Sequence, residues 1–173
     1  MNEKELKEKF ISYFGEEKWN EEEQLTKLLK FQIYVANYLG VDVIPVIVED
    51  IVEDSRYYLK EAYIVISKKL INDEIEAAKC IAHEMRHHYQ WYIIKNNIEH
   101  RFKDEWKKDL SKTININPNL VDDIVKYDSS LIELDAFAFQ KYIIKEYYGL
   151  DNHHPIIEYD TIIDFYIEKY FYN

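Results

Sequence analysis

The chain has 173 residues, 47% of them apolar, with a formal net charge of −11; this suits one globular domain with a sizeable core and argues against a disordered chain. The acidity argues against a nucleic-acid surface and against docking on anionic lipid, since both need clustered basic residues. A single cysteine forbids an internal disulfide, and with no apolar leader and no bilayer-length apolar run the expectation is a soluble, cytoplasmic protein without a membrane partner.

Leu6, Phe10, Ile11 and Phe14 recur at helical spacing, so residues 3–14 are expected to form a helix closed by Gly15. Asn20 can cap a second helix, with Glu21, Glu22 and Glu23 at its positive end, running to Leu39 and stopped by Gly40. Its buried stripe is expected to be Leu25, Leu28, Leu29, Ile33, Ala36 and Leu39. Residues 41–50 are β-branched and interrupted by Pro45, which points to an edge strand or a bulge. Residues 56–60 and 62–67 complete a sheet of about three strands. Residues 62–67 stand directly before the next helix and are the candidate edge strand for pairing with an extended substrate. The fold class is α+β, mainly helical, with the small sheet next to that helix.

Asp73-x-x-Glu76 reads as a capping box opening a helix over 74–95 that ends near Asn96-Asn97. Within it lies Cys80-Ile81-Ala82-His83-Glu84-Met85-Arg86-His87-His88-Tyr89-Gln90-Trp91. His83 and His87 are four apart, hence one turn above each other on one face, where two imidazoles can reach one metal ion. Glu84 is placed to act as base on a water held there, the arrangement of a zinc hydrolase with one Zn2+. A polar cluster on a surface helix is the plainer alternative, but Ala77, Ala78, Ile81 and Ala82 before the motif and Trp91, Ile93 and Ile94 after it imply burial. A di-iron bundle needs a second E-x-x-H, and the sequence has none beyond Glu84-x-x-His87.

Residues 99–110 read as a surface helix with Phe102, Trp106 and Leu110 as a thin apolar stripe, followed by a loop over 111–118. Asn117-Pro118 opens a short helix to about 126. Another apolar helix runs from Ser130 to Tyr148 and is ended by Gly149; residues 151–155 form a loop, and 156–172 a last helix. The third metal ligand is sought at Glu133, in an apolar turn whose small Ala136 and Ala138 allow close helix approach. Ser130-x-x-Glu133 also matches a capping box, so Glu133 has two readings. Asp135 is the alternative ligand, or an outer acceptor for an imidazole N–H.

The stretches 82–87 and 133–139 together resemble the gluzincin-type zinc metallopeptidases, most nearly the small intracellular or phage-associated forms of the broad ImmA/IrrE kind. The resemblance covers about residues 62–92 and 128–142. It implies a zincin-like domain, metal ligands His83, His87 and Glu133, Glu84 as general base, and a protein or peptide substrate. Such enzymes add a group that stabilises the oxyanion; Tyr127, Tyr142, His88, His153 and His154 are the candidates. His88 points about a third of a turn from His87 and is expected to be structural, and His153-His154 to lie in a solvated loop. Arg86 is expected to pair with nearby acids. A non-catalytic protein-binding module on the same scaffold, and a zinc hydrolase of non-peptide amides, are the competing functions.

Overall fold

The helical spacings of the sequence are realised in the computed structural model, which describes residues 2–16, 23–112, 130–154 and 157–172. The helices are α1 (Glu3–Phe14), α2 (Glu23–Leu39), α3 (Glu74–Lys95), α4 (Lys103–Lys112), α5 (Leu131–Tyr148) and α6 (Ile157–Tyr170). With strands β1 (Val46–Glu49), β2 (Ser55–Tyr58) and β3 (Tyr63–Ser67) they make a mainly helical α+β fold. Two compact units divide the chain, Met1–His88 and Tyr89–Asn173. Among the described residues no helix is long and apolar enough to cross a membrane. The expected Asn20 cap with Glu21 and Glu22, and the expected helix over 118–126, lie outside the described residues.

In the first unit, Asn2 and Glu5 close a capping box on α1, with Glu5 N to Asn2 Oδ1 at 3.0 Å and Asn2 N to Glu5 Oε2 at 2.9 Å. Leu6 and Phe10 then pack with Leu25 and Leu29 of α2. The buried face of α2 is wider than the expected stripe, taking in Phe31, Gln32 and Val35, while Ile33 is half-buried. Gln32 is tolerated there because its amide donates to the Ile44 carbonyl at 2.7 Å.

The sheet runs in the order β1-β3-β2, with β1 parallel and β2 antiparallel to β3. Pro45 sits just before β1 on an edge, where its missing N–H costs no ladder bond, and its carbonyl accepts Ile64 N at 2.9 Å. The structure corrects the expectation for 62–67: β3 is the central strand, with both edges already paired. The physical sign is its unbroken apolar run, since Ile64, Val65 and Ile66 are all at most 1% exposed, as in a strand covered on both faces. The open edge near the motif helix belongs to β2, which begins one residue earlier than expected. Ser67 N donates to Asp54 O at 2.9 Å, and Ser55 is registered opposite Ile66. Hydrogen-bonded pairs alternate along an antiparallel ladder, so the backbone groups of Ser55 and Tyr57 turn away from β3.

In the second unit, α3 ends where Asn97 takes a left-handed conformation (φ 52°) and Ile98 N reaches back to Ile93 O at 3.0 Å. The stripe of α4 is more deeply set than a surface helix requires: Trp106 is fully buried with Ile93 and Ile132, and the His100 ring stacks on it at 4.3 Å. Helix α5 buries Ile132, Glu133, Asp135, Ala136, Ala138 and Phe139 in its first turns, and Gly149 closes it in a left-handed conformation (φ 69°) that a side chain would strain.

Candidate metal centre

The motif sits on α3 because its N-terminus is fixed and its apolar face is seated. Asp73 Oδ1 accepts from Ile75 N and Glu76 N, each at 3.1 Å, which is the forward half of the expected capping box; the Glu76 carboxylate meets Lys79 at 2.6 Å. Ala77, Ala78, Ile81, Ala82 and Met85 are at most 1% exposed. His83 and His87 are half-buried, with rings edge to face and Nε2 to Nε2 at 3.0 Å. Two nitrogens bound tetrahedrally to one zinc at ~2.05 Å would lie about 3.3 Å apart. The two Nε2 atoms therefore stand at nearly the separation that such an ion would require.

Glu84 is buried at 6% exposure, and its Oε1 accepts a hydrogen bond from Ser55 Oγ at 2.7 Å. His88, next along the helix, has its Nδ1 paired with Tyr57 OH at 2.9 Å. Burial holds its imidazole below the usual pKa. This is the structural role expected for it. One turn before Glu84, burial pushes the Cys80 thiol up to about 12. At neutral pH Cys80 is then a neutral thiol with roughly a thousand-fold less thiolate than an open cysteine. Its reaction with a soluble disulfide reagent in the native protein is expected to be slower by about tenfold or more than after unfolding, since the higher nucleophilicity of a high-pKa thiolate offsets part of the loss; equal rates would show the thiol to be open.

Glu133, at the start of α5, is 3% exposed. The Ser130 half of the capping box is not realised, since Ser130 makes no side-chain cap bond; at the same helix start the N–H of Leu131 donates to Asp109 Oδ2 at 2.9 Å. Glu133 joins His83 and His87 in the group of side chains able to hold a metal ion, each offering one ligand atom, all within 4.8 Å of one another. Two imidazoles and one carboxylate are the donor set of catalytic zinc sites; calcium and magnesium would call for oxygen ligands throughout. Asp135 is 1% exposed and already has a donor on each oxygen, Gln90 Nε2 on Oδ2 at 2.7 Å and Tyr166 OH on Oδ1 at 3.1 Å. Gln90 also donates to Ile132 O at 2.9 Å. Asp135 thus braces α5 against α6 and the last turns of α3, and is not in the metal-competent group. Gln90 itself went unmarked in the sequence, although 83, 87 and 90 follow helical spacing.

Of the candidate oxyanion groups, Tyr127 lies outside the described residues. Tyr142 is corrected: nine residues after Glu133, it falls about two and a half turns on and on the opposite side of α5. There its ring stacks on Phe171 at 5.2 Å and meets Tyr172 edge-on at 5.5 Å. His153 is exposed, as expected, yet its loop is pinned: Asp160 accepts from His154 N at 2.9 Å, meets His153 Nδ1 at 2.8 Å and pairs with Lys141 at 2.7 Å. The His154 ring lies edge-on against Phe137 at 4.9 Å. Phe137 is one turn after Glu133 on the same face of α5, so the His154 ring lies on that side of the helix. Compared with known proteins, the chain shows no significant match to a family model, a curated protein or a solved structure.

Proposed function

We propose that the chain is a zinc-dependent peptidase in which His83, His87 and Glu133 hold the metal and Glu84 is the general base. The observation that carries this is the convergence of two imidazoles and one buried carboxylate at ligand separation, with a second buried carboxylate following His83 directly. The likeness to gluzincin-type, ImmA/IrrE-like peptidases agrees with it and suggests a particular protein target rather than general digestion.

A bound zinc ion supplies a water of lowered pKa and polarises the scissile carbonyl. Glu84 would do the proton work: its carboxylate would accept a proton from the attacking water and pass it to the leaving amine. Burial keeps bulk water from competing for its carboxylate. His88 stays outside the chemistry, paired to Tyr57. An extended peptide adding to the outer edge of β2 would meet the backbone groups of Ser55 and Tyr57 that face away from β3, beside the motif helix.

The test is cleavage of a broad peptide library by the zinc-loaded protein. Cleavage that 1,10-phenanthroline removes and added zinc restores is expected. A zinc-loaded protein that cleaves nothing overturns the peptidase and leaves a binding module, for which the same strand edge would be the docking site.

A further inference from the structure

Strand β2 meets α3 in step with it. Ser55 Oγ donates to Glu84 Oε1 at 2.7 Å, and two residues on, Tyr57 OH meets His88 Nδ1 at 2.9 Å, four residues on along the helix. Two strand residues advance about 6.7 Å and four helical residues about 6.0 Å, so strand and helix run side by side in matched register. The segment leading into β2 is fastened from the other side. Ser67 Oγ donates to Ile51 O at 3.2 Å, Lys69 Nζ to Val52 O at 3.2 Å, and Lys69 pairs with Asp54 at 2.8 Å. Ser55 is therefore a fixed point from which the Glu84 carboxylate is held.

A hydroxyl has one proton to give, and here it goes to Oε1. With that oxygen fixed, the carboxylate plane is set and Oε2 is left to receive a proton. The same residue has its backbone N–H and C=O at the open strand edge, two bonds from the side chain that fixes the base. We propose that Ser55 is a positioning residue: it orients Glu84 through its hydroxyl and ties that orientation to the strand edge on which the substrate pairs. This rests on Glu84 being the general base.

The test uses Ser55→Ala and Ser55→Thr in the full chain, with zinc content, melting temperature and crystal structures beside the kinetics. Ser55→Ala is expected to lower kcat by about 10–100-fold with KM within about twofold, because the backbone contacts remain while the base loses its orientation. Threonine keeps the hydroxyl and suits a strand, so Ser55→Thr should recover kcat to within about threefold. Zinc content and melting temperature should match wild type in both, and the Glu84 carboxylate should be rotated in the alanine crystal structure only. An active wild type whose Ser55→Ala variant keeps its kcat, or keeps the Glu84 orientation, overturns the assignment of Ser55 alone. An equal kcat loss in the threonine variant, or a loss that follows zinc content or melting, makes Ser55 merely structural and overturns it too. A zinc-loaded wild type without cleavage overturns the peptidase reading, and with it the catalytic half of the proposal.

Discussion

Glu84→Gln is expected to lower kcat/KM by about 10³–10⁴-fold, the upper part of what general acid–base catalysis contributes, while zinc stays bound. Glutamine has the same shape, and its amide oxygen can still accept from Ser55, which lies 2.7 Å from Glu84 Oε1. What it lacks is basicity. The metal-competent group comprises His83, His87 and Glu133, so the substitution leaves the ligands intact and metal content should equal wild type. Steady-state kinetics on a cleaved peptide and metal analysis of the same preparation give both numbers. Cleavage within tenfold of wild type would mean that another group takes the proton. Full biological activity with no cleavage would identify a binding module.

Asp135→Asn is expected to destabilise the protein by about 2–4 kcal/mol, the range for removing a charged acceptor from a buried network. Both of its oxygens receive donors, Gln90 Nε2 at 2.7 Å and Tyr166 OH at 3.1 Å. Asparagine turns an NH2 toward one of them, so a buried donor loses its acceptor. For a chain of this length the melting temperature should fall by roughly 5–15 °C, measured by calorimetry on zinc-loaded protein. Zinc stoichiometry should hold, because Asp135 lies outside the group of side chains that could hold the metal. An unchanged melting temperature with zinc lost would make Asp135 the ligand.

What could be read from the sequence was what is local. His83 and His87 needed only the helical period, and Asp73 needed only the turn that follows it; both stand as expected. Glu133 could not be decided locally, since Ser130-x-x-Glu133 serves a cap and a ligand equally. What bears on it is non-local: Ser130 makes no cap bond, and Glu133 falls with His83 and His87, about 50 residues earlier, in a group that could hold a metal. Sheet order is likewise non-local: an apolar strand next to the motif helix reads as an edge or a centre until its neighbours are known. Ser55 was missed by one residue. With β2 set at 56–60 its hydroxyl fell outside the strand, although Ser55 and Tyr57 share a face by simple alternation. Residue type alone makes Tyr142 a candidate, and the helical period puts it across α5 from Glu133.

Zinc per chain in the purified wild type and in Glu133→Ala is the most direct test of the three-ligand centre. About one zinc in wild type, lost or far more weakly held in Glu133→Ala, is the expected result. One zinc in both would remove Glu133 from the ligands, and none in wild type after zinc loading would contradict the metal centre itself.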